Sequence, residues 1–157
     1  MFDVVIRGGT VVDGTGRPGV RADVAVAGGL IAAVGDLAEG EATQVVDADG
    51  LVVCPGFVDP HTHYDAQLFW DPVASPSNLH GVTSVVMGNC GVGFAPVRPD
   101  RHQFLIELME GVEDIPGSAL SEGMQWGWES FPEYLDVLEG IPLVLDIGTQ
   151  IAHGPVR

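Results

Sequence analysis

His61 and His63 are the residues whose type and spacing most directly permit chemistry in this chain. They close the run Pro55-Gly56-Phe57-Val58-Asp59-Pro60-His61-Thr62-His63-Tyr64-Asp65. In an extended strand, residues i and i+2 face the same side with Cα atoms roughly 6.5–7 Å apart. Two imidazoles at that spacing can converge on one cation, each through a metal–nitrogen bond of about 2.0–2.1 Å. The pair reads as half of a metal site; the competing reading is a strand-capping histidine beside a solvated one. The flanks favour the metal. Pro55-Gly56 turns the chain before Phe57, and Pro60 interrupts strand hydrogen bonding, as expected where a strand stops and its last side chains face a cavity.

The elements that must position this pair follow from the pattern on either side. Residues 1–54 are β-rich. Asp3-Val4-Val5-Ile6-Arg7 and Thr10-Val11-Val12-Asp13 predict two short strands about a Gly8-Gly9 turn, and residues 22–27 and 30–35 predict two more about Gly28-Gly29. Residues 44–48 and 51–54 lead into the histidine strand. Gly14-Thr15-Gly16-Arg17-Pro18-Gly19 lacks the Gly-Lys-Ser/Thr ending of a phosphate loop and reads as a hairpin loop.

After residue 54, strands alternate with helical stretches, the pattern of parallel βα units. Strand 57–63 is followed by a short helix over 75–81, with Pro76 near its start and Gly81 at its end. Strand 82–87 is nearly all apolar, as for burial on both faces. A helix over 101–112 places Phe104, Leu105, Leu108, Met109 and Val112 on one side. Ser130 and Glu133 form a capping box for a last helix, stopped by Gly140 and Pro142. Leu143-Val144-Leu145-Asp146-Ile147 begins a third strand running toward His153.

The charge balance excludes some partners. Twenty-two acidic residues stand against six arginines and no lysine, for a formal net charge of −16. Such a surface repels nucleic acid phosphates and anionic membranes, so neither is an expected partner. Cys54 and Cys90 show no Cys-x-x-Cys spacing and no disulfide framework. Met1-Phe2-Asp3 opens on an acid, and no apolar run approaches the ~18 residues of a membrane span, so a cytoplasmic location is expected.

Five stretches together carry a family resemblance. Pro-Gly-Phe-Val-Asp-x-His-x-His resembles the first barrel strand of the metal-dependent amidohydrolases. Residues 81–96, with Asn89-Cys90-Gly91, are similar to the second strand of one branch, the N-acyl-D-amino-acid deacylases or D-aminoacylases. Glu110-Gly111-Val112-Glu113-Asp114-Ile115-Pro116, Trp126-Gly127-Trp128 and Phe131-Pro132-Glu133-Tyr134-Leu135 are similar to the same branch. The resemblance covers the whole chain. It implies an α/β fold: a small N-terminal β-sandwich portion over 1–54, then the first three βα units of a TIM-like amidohydrolase barrel over 55–157. A complete barrel usually needs about 250 residues, so the chain is expected to be an N-terminal piece of a longer enzyme, inactive alone.

In such barrels the active site lies at the C-terminal ends of the strands. The resemblance makes His61, His63 and Cys90 metal ligands for zinc or a similar divalent cation. At the level of the residue alone, Cys90 can also be a small buried hydrophobe, which is how Cys54 reads. His153 is expected to end the third strand, where it either contacts substrate or the ligands' surroundings, or bonds to loop backbone. Asp65 and Asp71 follow the metal strand and either orient a ligand histidine or are plain loop acids. His80 and His102 read as structural or solvated. Trp126 and Trp128 either form a lid over an apolar acyl group or pack against the barrel. Glu107, Glu110, Glu113, Asp114, Glu122 and Glu129 read as a solvated face. The family's proton carrier is an aspartate on the last barrel strand, so no catalytic residue is assigned within these residues.

The implied activity is metal-dependent hydrolysis of a non-peptide amide C–N bond, with small N-acyl-D-amino acids as substrates. A cyclic amidase of the hydantoinase or dihydroorotase type would share the first strand, but those enzymes lack the Asn-Cys-Gly strand end and generally use a bridging carboxylated lysine. A non-catalytic barrel kept for assembly would typically lose its metal histidines, and both are present here.

Overall fold

The computed structural model describes residues 1–37 and 42–157. It divides into two units, Met1–Pro55 and Gly56–Arg157.

The first unit is a mixed sheet of β1 (Phe2–Val11), β2 (Val20–Ala27), β3 (Leu30–Gly35), β4 (Ala42–Asp47) and β5 (Val52–Val53). The order is β3-β2-β1-β4, and β5 also pairs with β1. β1 and β2 form an antiparallel hairpin closed at Val11 and Val20, so the glycine-rich segment is its loop. β4 and β5 run parallel to β1. The two strands expected around Gly8-Gly9 are one. Ile6 pairs with Val24 and Gly9 with Ala22, leaving one extra residue on β1 as a bulge, with Gly8 at φ +70°. Asp23 makes the bulge tenable: its Oδ1 accepts the Gly8 N–H at 2.8 Å and its Oδ2 accepts from Arg7 at 3.0 Å.

The second unit is built on three parallel strands, β6 (Phe57–Thr62), β7 (Val82–Met87) and β8 (Asp146–Thr149), in the order β6-β7-β8. Parallel neighbours require crossovers. The first contains short 3-10 turns at Gln67–Phe69 and Ser77–His80. The second carries α1 (His102–Glu113), α2 (Gly117–Gly123) and α3 (Phe131–Glu139). The capping box at α3 forms as expected: Ser130 Oγ accepts the Glu133 N–H at 3.4 Å, and Glu133 Oε2 accepts the Ser130 N–H at 2.8 Å.

Packing explains where expectation and structure part. On α1 the buried residues are Leu105, Ile106 and Met109, while Phe104 and Val112 are 54% and 43% exposed, so the inward stripe is rotated by about one residue. On β7, Val85 and Met87 are buried, whereas Val82, Ser84 and Val86 on the opposite side are only half-buried. The third strand is shorter than expected, and His153 lies beyond it, opening the four-residue α4 (His153–Val156). Trp126 and Trp128 are packing residues. Trp128 is buried, its Nε1–H donates to the Phe94 carbonyl at 2.8 Å, and its ring stacks on Phe69 at 5.2 Å. Trp126 stacks on His102 with ring centroids 3.8 Å apart.

Candidate metal centre

β6 delivers the histidines at its C-terminal end. His61 is exposed near the end of the strand, and His63 follows just beyond it, half-buried. Between them Thr62 points inward and donates through Oγ1 to the Val86 carbonyl of β7 at 3.0 Å. That bond fixes the alternation: with Thr62 turned into the unit, both imidazoles fall on the other side. Their Nε2 atoms approach to 3.3 Å, with ring centroids 5.4 Å apart.

β7 delivers the sulfur. The strand ends at Met87, and the turn through Gly88, Asn89, Cys90 and Gly91 crosses over the top of the sheet. Gly88 is required there, because a Cβ would stand 2.3 Å from the Gln150 carbonyl oxygen, and Gly91 sits at φ +92°. Asn89 ties the turn to β6 by donating from Nδ2 to the Pro60 carbonyl at 2.5 Å. Pro60 cannot donate in the ladder, but its carbonyl is used. Cys90 Sγ receives the Val92 N–H at 3.4 Å.

The ligand atoms of His61, His63 and Cys90 all lie within 4.8 Å of one another. Donors about 2.0–2.1 Å from one tetrahedral ion stand roughly 3.3–3.4 Å apart. The observed 3.3 Å between the two Nε2 atoms therefore suits a shared cation, and a thiol beside two imidazoles is a donor set that zinc accepts.

The surroundings separate the candidate acids. Glu113, at the end of α1, presents Oε1 to His63 Nδ1, with the two side chains 29% and 21% exposed. Asp65 is buried, and its Oδ2 has no hydrogen-bond partner among the described residues. Burial, the largest influence, raises its pKa to about 7. Asp71 serves the loop instead: its Oδ2 accepts the Ser75 N–H at 2.9 Å and Gln67 Nε2 at 3.0 Å. Read from sequence as part of a solvated face, Glu113 is the residue sequence reasoning missed. No local signal sets it apart from the neighbouring acids, because its partner lies 50 residues earlier in the chain.

The amidohydrolase family model matches residues 44–157. This chain belongs to the amidohydrolase family. A D-aminoacylase of Alcaligenes xylosoxydans xylosoxydans is 40% identical over 156 residues, which is 99% of this chain and 30% of that protein. A solved D-aminoacylase structure, studied for its binuclear metal centre, superposes with a TM-score of 0.80 at 37% identity, covering 100% of this chain and 31% of that one. N-acyl-D-glutamate deacylase from Bordetella bronchiseptica, complexed with zinc and a phosphonate mimic of the tetrahedral intermediate, gives 0.73 at 31%, covering 99% and 30%. The chain thus spans about 30% of the length of the relatives it matches.

In this amidohydrolase chain His153 stands outside the three-donor cluster but beside the Cys90 turn. His153 is exposed, and a Cβ on Gly91 would stand 3.7 Å from its Cβ; the neighbouring Gly154 N–H donates to the Gly91 carbonyl at 2.7 Å. It lines a cavity of about 630 Å³ together with Arg98, Arg101 and Arg157. His80 is exposed in its 3-10 turn. Cys54 is also exposed, against the expectation of a small buried hydrophobe. No helix among the described residues is long and apolar enough to cross a membrane.

Proposed function

We propose that the full-length protein carrying this chain hydrolyses the amide C–N bond of small N-acyl-D-amino acids, with His61, His63 and Cys90 as this chain's share of a zinc or similar divalent site. The observation that carries the reading is the approach of two imidazole Nε2 atoms to 3.3 Å beside a cysteine sulfur. The sheet of the first unit is read as a portion of a β-sandwich, and β6, β7 and β8 as the first three strands of a TIM-like barrel. A cytoplasmic location accompanies this reading.

Bound at these donors, zinc supplies Lewis acidity and makes hydroxide available near neutral pH. The residues do the rest. Thr62 and Asn89 hold the two strand ends in register, so the imidazoles and the sulfur stay aimed at one point. The Val92 N–H gives the sulfur a fixed donor. His153 stands against the Cys90 turn on a cavity that collects three of the chain's six arginines, a setting suited to the carboxylate of the substrate. Asp65 lies beneath the histidine loop as a buried neighbour of the ligands. Proton delivery to the leaving amine is assigned to an aspartate outside residues 1–157.

The test is a substrate panel on the full-length protein with its metal content measured. Free amino acid should be released from N-acyl-D-amino acids faster than hydantoin or dihydroorotate is opened. Preference for the cyclic amides would move the protein to the cyclic amidases, and a metal-free, inactive protein would favour the assembly reading.

A further inference from the structure

We propose that Glu113 is the positioning residue for His63, selecting the imidazole tautomer that leaves Nε2 free for a divalent cation. The inference rests on the metal reading above and adds a residue from a different element. An imidazole has two nitrogens on opposite edges of its ring, and the hydrogen bond made by one decides what the other can bind. His63 uses both edges. Nδ1 meets Glu113 Oε1, and Nε2 faces His61 Nε2 at 3.3 Å. A carboxylate only accepts, so Nδ1 must carry the proton and donate it, and the lone pair is then on Nε2. A carboxylate behind a metal-binding histidine also makes the imidazole a stronger donor to the cation.

The placement of Glu113 is not explained by its own helix. An acid at a helix C-terminus opposes the macrodipole, and α1 has no basic residue in its last turn to offset it. α1 is held by the buried Leu105, Ile106 and Met109, which sets the Glu113 backbone, and Asp114 at φ +55° ends the helix immediately after it. The contact spans 50 residues of sequence, joining the end of α1 to the residue following β6. Asp65, only two residues beyond His63, makes no hydrogen bond to either imidazole. The orienting task that the acids after the metal strand were expected to perform therefore falls to the second crossover.

The experiment uses the full-length protein and measures zinc affinity by competition with a chromophoric chelator, alongside thermal unfolding of the zinc-free form. Glu113→Ala should weaken zinc binding about 10–100-fold. Glu113→Gln keeps an acceptor oxygen and should fall between wild type and Glu113→Ala. In a His63→Ala background, Glu113→Ala should cause no further loss, because residues that act as one unit are not additive. A merely structural tie between α1 and the end of β6 would lower the melting temperature and leave zinc affinity unmoved. Unchanged affinity in Glu113→Ala, or a loss that persists undiminished without His63, overturns the assignment. Where Glu113→Ala fails to fold, Glu113→Gln measured with and without His63 decides by the same criterion. Wild-type protein that binds no zinc overturns the metal reading and this inference with it, whereas zinc-binding wild type with an unaffected Glu113→Ala overturns this inference alone.

Discussion

The hydroxyl of Tyr134 donates to the backbone carbonyl of Asp65 at 2.9 Å, tying the middle of α3 to the loop that leaves the histidine strand. Both residues are buried, so water cannot replace the bond. Burial also raises the phenol pKa well above its ordinary value, with the Asp65 charge adding to it, which keeps Tyr134 a donor across the usable pH range. Tyr134→Phe should cost about 1–3 kcal/mol, the range for leaving a buried carbonyl unpaired. Urea denaturation of the full-length protein checks this, and a midpoint equal to wild type would show that the bond does not hold the loop.

Cys90→Ala should lower zinc content and amide hydrolysis together, because a thiolate ligand is lost outright. Metal analysis of the purified variant checks the first half. Unchanged zinc would remove Cys90 from the ligand set. The double change His61→Ala with His63→Ala should abolish hydrolysis, and full activity in that variant would remove the histidine pair.

Asn89→Ala should leave the three donors present while releasing the Cys90 turn from the Pro60 carbonyl. The expected outcome is weaker zinc binding with little change in global stability, since Asn89 is exposed. A variant with wild-type zinc affinity would show that the turn is held by its glycines alone.

Glu133 is held below the ordinary glutamate value, first by the Ser130 N–H and then by the Glu129 N–H. A depressed carboxylate contributes stability at pH values above its unfolded pKa and loses it as pH falls through the folded one. Acid unfolding of the wild type should therefore include a component below the ordinary glutamate pKa that Glu133→Gln removes. Coincident acid profiles for the two proteins would contradict it.

Residues 1–157 expressed alone should aggregate and release no amine from any N-acyl substrate. β6 and β8 are the outer strands of their sheet, each with one side unpaired among the described residues, and Phe57, Val58 and Val144 are 60%, 64% and 62% exposed. A soluble, cooperatively unfolding fragment with amidase activity would refute this.

Signals local in sequence were legible; signals that depend on distant contacts were not. The capping box at Ser130 and the hairpin loop before Val20 are set within a few residues, and both appear in the structure. So does the convergence of His61 and His63, which needs only a strand's alternation. Gly8 was misread because a glycine pair signals a turn and a bulge equally, and the choice lies with Asp23 on the neighbouring strand. The inward face of α1 shifted because six apolar side chains, Ile106 among them, offer two overlapping stripes, and the packing partners select one. Glu113 could not be told from the other acids of its stretch, since its distinction is a histidine 50 residues away.

Asn89 and Pro60 are 29 residues apart, and β6, which holds Pro60, pairs directly with β7, whose C-terminal turn holds Asn89. This side of the candidate cation site closes over a short span of chain, for which the entropy of closure is modest. All three donors have been synthesised by the time Cys90 leaves the ribosome, and domains begin to fold during synthesis at about 5–20 residues per second. The three candidate donors are therefore brought together by local chain closure, while the Glu113 carboxylate that meets His63 follows 23 residues after Cys90.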